Sequence, residues 1–198
     1  GADTINALIG GFKGNGHALM GAGDDTVIGH GTGSFDGGEG TQDQILFNQG
    51  TYKLQNGVVT SSEGVVMTTT NFELVGGFAE ASPVFAINNA ETQFITVDAN
   101  GVATLNNAPR ITSSPEAAAG ELKEAGWAEN GTVITGTSSA NGTLTATDAD
   151  TGAVLTWSLE GTQSTTYGTI AIDSATGAWT YKLDNSLAAT QALNEGET

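Results

Sequence analysis

The chain has 198 residues, 22 Asp and Glu against five Lys and Arg, and a formal net charge of −17. That field repels a polyphosphate and no basic cluster offsets it, so nucleic acid is excluded as a partner. No window approaches the roughly 18 consecutive apolar residues of a membrane span, and the absence of cysteine removes disulfides, thiol catalysis and thiolate zinc sites.

The apolar residues fall in short runs: Gln44-Ile45-Leu46-Phe47, Gly64-Val65-Val66-Met67, Val154-Leu155-Thr156-Trp157 and Thr169-Ile170-Ala171-Ile172. Each is bounded by Gly, Asn, Asp or Ser, the pattern of strands separated by turns. A high threonine content suits pleated surfaces. Helical character is confined to 115–125, which Gly120 interrupts, and to a short crossover at 186–193. The chain is predicted to be all-β.

Taken in order, residues 1–40 contain 13 of the 29 glycines. Gly21-Ala22-Gly23-Asp24-Asp25-Thr26-Val27 fits G-x-G-x-D-x-U, with U a large apolar residue. Gly37-Gly38-Glu39-Gly40-Thr41-Gln42-Asp43-Gln44-Ile45 repeats it with one residue inserted, and Gly1-Ala2-Asp3-Thr4-Ile5 matches the tail of another copy. The copy at 29–36 lacks an aspartate at the expected place, and His17 stands where an upstream copy would carry one. Leu19, Val27, Phe35 and Ile45 recur at spacings close to nine, so each is expected to point inward from a short strand after a glycine turn. Glycines permit positive φ and bring carbonyls close to a cation, and the aspartate adds a carboxylate. The result is an oxygen-only cage of the kind Ca²⁺ takes. The competing reading is a glycine-rich loop with solvated acids.

These motifs resemble the RTX nonapeptide repeat over about residues 1–47. The resemblance implies a short parallel β-roll with Ca²⁺ in its turns. It makes Asp25 and Asp43 the principal side-chain ligands, Gly21, Gly23, Gly38 and Gly40 the carbonyl donors, and Asp3, Asp24 and Asp36 secondary ligands.

Residues 48–105 lose the glycine and alternate apolar with Thr, Asn and Gln, as in Phe94-Ile95-Thr96-Val97. They read as a β-rich extension of unassigned type. Asn106-Asn107-Ala108-Pro109 reads as a boundary, because Pro109 has no amide proton for a ladder.

Residues 106–198 carry all three tryptophans and a series of ordered motifs. Among them are Pro115-Glu116-Ala117-Ala118-Ala119-Gly120, Ala146-Thr147-Asp148-Ala149-Asp150, Tyr167-Gly168-Thr169-Ile170, Gly177-Ala178-Trp179-Thr180-Tyr181 and Asn194-Glu195-Gly196-Glu197-Thr198. Together they resemble the VCBS repeat, which is similar to cadherin modules. The resemblance implies a cadherin/Ig-like antiparallel β-sandwich, incomplete at its C-terminal end. Read as a strand, Asp148 and Asp150 share one face and repel unless a cation or solvent compensates. The resemblance implies a junction Ca²⁺ on Asp148, Asp150 and Asn107, with Glu129 in a second motif of the same kind. The linker departs from the pattern: it has no aspartate, and Ala103 and Leu105 stand where ligands are expected. The alternative is a polar turn with two solvated carboxylates.

Catalytic signals are thin. His17 and His30 cannot supply a three-histidine zinc site, and neither a His-Glu-x-x-His nor a Gly-x-Ser-x-Gly motif occurs. The chain is therefore expected not to be an enzyme. Trp127, Trp157 and Trp179 would suit a sugar site, but Trp157 in a strand reads as core. The resemblances imply a calcium-stabilised structural segment of a large secreted or cell-surface bacterial repeat protein, an adhesin exported by a type I system. Its partners would be Ca²⁺, neighbouring modules or copies of itself, and a glycan or cell-surface ligand. Because the VCBS pattern continues beyond Gly196-Glu197-Thr198, the chain reads as part of a longer protein. Strand donation between copies, giving a filament or surface layer, is a second expectation. Two others are the non-catalytic part of a secreted enzyme and a carbohydrate-binding module.

Overall fold

A computed structural model describes residues 1–8, 11–127 and 130–193. Strands hold 42% of the chain and helix 4%, so the all-β expectation holds. Two compact units are present, Gly1–Ala108 and Pro109–Thr198.

The first unit opens with five short strands: β1 (Thr4–Asn6), β2 (His17–Leu19), β3 (Thr26–Ile28), β4 (Gly33–Asp36) and β5 (Gln44–Phe47). Odd-numbered strands enter one sheet and even-numbered strands another, so β1, β3 and β5 pair in parallel, as do β2 and β4. Parallel neighbours need a crossover, and here each crossover contains a strand of the opposite sheet. A hairpin follows, β6 (Gly50–Gln55) and β7 (Val58–Ser61), turning on Asn56 and Gly57 at φ 50° and 73°. Positive φ at both central residues matches the twist of the flanking strands. Strand β8 (Val66–Thr70) lies parallel to β4, and β9 (Leu74–Gly77) lies parallel to β5. Strands β10 (Val84–Ala86), β11 (Gln93–Val97) and β12 (Ala103–Asn107) complete sheets ordered β1-β3-β5-β9-β10 and β12-β11-β6-β7-β8-β4-β2. Residues 48–105 thus supply strands to both sheets.

Ile5, Val27, Ile45, Val75 and Phe85 share one register line across the five-stranded sheet. Val27, Ile45 and Val75 are fully buried and join Phe35, Leu54, Val59, Met67 and Ile95 of the other sheet in one apolar cluster. Leu19 corrects the sequence expectation: it is 70% exposed. Its partner in the register is Asp36, while Ala18 pairs with Phe35. Successive repeats sit in different sheets, so turn length, not a fixed spacing, sets which residue faces inward, and the side-chain period of two puts Leu19 outside.

The second unit contains β13 (Arg110–Ile111), a 3₁₀ turn (Pro115–Ala118), β14 (Gly126–Trp127), β15 (Val133–Ile134), β16 (Ser139–Thr143), β17 (Ala146–Thr147), β18 (Gly168–Ile172), β19 (Ala178–Leu183) and the one-turn helix α1 (Ala188–Gln191). Its largest sheet is β16-β19-β18, accompanied by the pairs β13-β17 and β14-β15. Trp179, at the centre of that sheet, is 7% exposed, and its Nε1 donates to the Ala117 carbonyl at 2.7 Å. Trp157, expected in a core strand, instead lies in an irregular segment and is half-buried. No ladder holds the 154–157 run, and the central strand's own Trp179 takes the core position. The motif at 194–198 lies outside the described residues.

Candidate metal centre

Three turns lead from the seven-stranded sheet to the five-stranded one, at 20–25, 37–43 and 71–73. Because β1, β3, β5 and β9 run in parallel register, the residues just before them fall into line: Asp3, Asp25, Asp43 and Glu73. Each of the last three reaches back to the previous turn. The Asp3 N–H donates to Asp25 Oδ1 at 2.6 Å, the Asp25 N–H to Asp43 Oδ1 at 2.6 Å, and the Asp43 N–H to Glu73 Oε2 at 2.9 Å.

Asp25 and Asp43 are both 0% exposed, and the second oxygen of each, Oδ2, is buried without a hydrogen-bond partner. An ionised carboxylate in that position carries a desolvation penalty of several kcal/mol unless a counter-charge reaches it. The glycines make room beside it. A Cβ on Gly40 would stand 2.5 Å from Asp43 Oδ2 and 2.6 Å from the Gly23 carbonyl oxygen. Likewise a Cβ on Gly23 would stand 2.9 Å from the Gly1 carbonyl oxygen. So Gly40 is needed for space, Gly23 and Gly38 for both space and φ of 120° and 95°, and Gly21 for its φ of 98° alone.

Among the described residues no three His, Cys, Asp or Glu groups converge on a point. A cage here has to be completed by backbone carbonyls, which is the donor mixture a hard cation such as Ca²⁺ accepts. The orphaned Oδ2 atoms of Asp25 and Asp43, with the Gly37 and Gly40 cradle beside Asp43, fit such an ion; these two carboxylates would hold it, with the Gly23 carbonyl near Asp43.

The other predicted residues have different placements. The Gly21 carbonyl accepts the Glu39 N–H at 2.6 Å, and the Glu39 carbonyl accepts the Gly23 N–H at 2.9 Å, so these turns are stitched together directly. Asp24 is exposed and braces the next turn, accepting N–H bonds from Thr41 and Gln42 at 3.1 and 3.2 Å. Asp36 accepts from the Gly38 N–H at 3.1 Å and Asn71 Nδ2 at 2.8 Å. Asp3 is exposed at the end of the line. Sequence reading missed Glu73 and Asn71; aligning Asp25-Thr26-Val27, Asp43-Gln44-Ile45 and Glu73-Leu74-Val75 exposes the first of them.

Asp148 and Asp150 lie just past β17 and not in a strand, and the Asp150 N–H donates to Asp148 Oδ1 at 2.8 Å. The shared-face argument therefore gives way to a local Asx turn. Asn107 belongs to the first unit, where its Oδ1 accepts from Gln93 Nε2 at 3.2 Å. Glu129 lies outside the described residues.

On the opposite side of the first unit the turns are lined by rings. His30 packs against Tyr52 at 5.1 Å, which stacks on Phe47 at 4.1 Å. Burial lowers the His30 pKa against a weak opposing contact with the Val59 carbonyl. Burial, with the Glu63 charge, pushes Tyr52 up to about 12.

Comparison with family models, with curated proteins and with solved structures found no match to this chain.

Proposed function

We propose that this chain is a calcium-stabilised structural segment of a secreted or cell-surface bacterial repeat protein, of the adhesin kind, with no catalytic role of its own. The observation that carries the reading is the pair of fully buried aspartates, each with an unpartnered oxygen, Asp43 lying beside the side-chain-free Gly37 and Gly40. Strands alternating between two sheets through glycine turns agree with a β-roll of the RTX kind. The ordered motifs of the second unit favour a VCBS/cadherin-like sandwich. The mechanism is ordering by counter-charge: at −17 the chain resists compaction, and a divalent ion that binds only the folded turns adds its binding energy to folding. A chain of this kind would stay loose where Ca²⁺ is scarce and fold outside the cell.

A second reading, carbohydrate binding, is favoured by Trp127, which is 74% exposed and pairs across a hairpin with Val133, 60% exposed. Such an aromatic face suits a sugar ring.

Thermal melting in EDTA, Ca²⁺ and Mg²⁺ tests the first reading. Ca²⁺ should raise the melting temperature well above the EDTA value, and Mg²⁺ at the same concentration should raise it far less, since carbonyl-rich irregular cages suit the larger ion. Equal melting in all three solutions would overturn it. Quenching of Trp127 fluorescence by a glycan, absent in Trp127→Ala, would favour the second.

A further inference from the structure

The turns of the first unit form two rows with opposite chemistry. The row described above carries Asp25, Asp43 and Glu73. The row that leads back, at 7–8, 11–16, 29–32 and 48–49, contains no Asp or Glu among its described residues. That side is closed by aromatic packing: Phe12 on Phe35 at 4.6 Å, His30 on Tyr52, and Tyr52 on Phe47.

We propose that cations bind the first unit along one row of turns only, and that Glu73, which lies outside both glycine motifs, ends that row as the positioning residue for Asp43. The inference deepens the calcium reading and rests on it. Glu73 makes to Asp43 the same backbone bond that Asp43 makes to Asp25 and Asp25 to Asp3. In return the Asp43 carbonyl accepts the N–H groups of Glu73 and Leu74, each at 3.0 Å. The three-residue turn 71–73 thereby clamps the segment that carries the buried carboxylate.

Asn71 adds a donor. It holds φ at 54°, a left-handed conformation uncommon outside glycine, and its side chain is tied to Asp36. Its carbonyl oxygen crowds the position a Cβ on Gly37 would take, 3.0 Å from Asp43 Oδ2. Turn 71–73 therefore brings the Asn71 carbonyl to the Gly37 position beside Asp43, as turn 20–25 brings the Gly23 carbonyl to the Gly40 position beside it. The turns of the opposite row carry no acid of their own to offset the dehydration of a divalent ion; the Glu63 charge that acts on Tyr52 comes from the β7–β8 turn, and the rings close the core.

Two measurements on the full chain test this. Hydrogen exchange read by mass spectrometry, in saturating Ca²⁺ and in EGTA, should show slowing in peptides covering 20–25, 37–43 and 71–73, with 29–32 and 48–52 unchanged. Equal slowing in both rows would overturn the one-row assignment. Calorimetric titration of Glu73→Ala should give Ca²⁺ affinity weaker by about tenfold or more. Glu73→Gln, which keeps an acceptor for the Asp43 N–H, should restore most of it. Wild-type affinity in Glu73→Ala would remove the role of Glu73 while leaving the calcium reading standing; no Ca²⁺ uptake by the wild-type chain would overturn both.

Discussion

At the scale of single residues, the glycines of the first unit divide by what a methyl group would meet. Gly40 faces Asp43 and the Gly23 carbonyl at 2.5–2.6 Å, whereas Gly16 has nothing within 4 Å and no positive φ. Gly40→Ala should therefore destabilise the protein by about 1–3 kcal/mol. Gly16→Ala should be neutral or stabilising by up to about 1 kcal/mol, through a less flexible unfolded chain. Urea unfolding of the two variants checks the contrast. His30 makes a pH prediction. Its pKa is lowered in the folded state from the ordinary 6.5, so the fold accepts the neutral ring. That stability is fully present above the unfolded value and is lost as pH falls from it through the lowered folded value. In saturating Ca²⁺, the urea midpoint of the wild type should fall between about pH 8 and pH 5, and His30→Gln should fall less over the same range. Parallel curves for the two proteins would show that His30 is not the titrating group.

At the scale of elements, legibility depended on whether a signal was local. Strand β5 carries its own apolar run and could be read directly, whereas the turn at Asn56-Gly57, although its residues are turn formers, was not singled out within the unassigned 48–105 segment. Leu19 could not be placed, because its facing depends on which sheet its strand enters and on the length of the turn that follows. Glu73 was hidden for a related reason: its turn has no glycine motif, and only parallel pairing of β9 with β5 brings it into line with Asp43. The run at 154–157 looked like a strand by composition, yet no partner strand pairs with it among the described residues. In the second unit the decisive element is β19, flanked by β16 and β18. Trp179→Phe keeps the ring in the core but leaves the Ala117 carbonyl without its 2.7 Å donor. The expected loss is about 1–3 kcal/mol, seen in hydrogen exchange as faster opening of 139–143 and 168–172.

At the scale of the whole molecule, the charge and the buried acids point in one direction. Five cationic side chains cannot neutralise 22 acids, and the two most deeply buried carboxylates, Asp25 and Asp43, take their hydrogen bonds from backbone N–H groups. The outline of this arrangement was legible in the G-x-G-x-D spacing, which picked both aspartates. The stacking of the turns was not, since it arises from strands far apart in the chain pairing in parallel. Nor could spacing assign separate tasks to Asp24 and Asp36, which brace turns with hydrogen bonds while Asp25 and Asp43 face the interior. An ion that binds only the folded state adds about 2.7 kcal/mol per site at a hundredfold excess over its dissociation constant. That is a large share of the stability of a typical domain.

The most direct test is a Ca²⁺ titration into the EDTA-treated chain, followed by circular dichroism and melting, for wild type, Asp25→Asn and Asp43→Asn. The account predicts a cooperative gain of β signal and melting temperature in the wild type and a smaller gain in each variant. In EDTA, each variant should melt no lower than the wild type, because an uncompensated buried charge has been removed. A stripped chain that is already fully folded, with Ca²⁺ changing neither signal nor melting temperature in any of the three proteins, would contradict it.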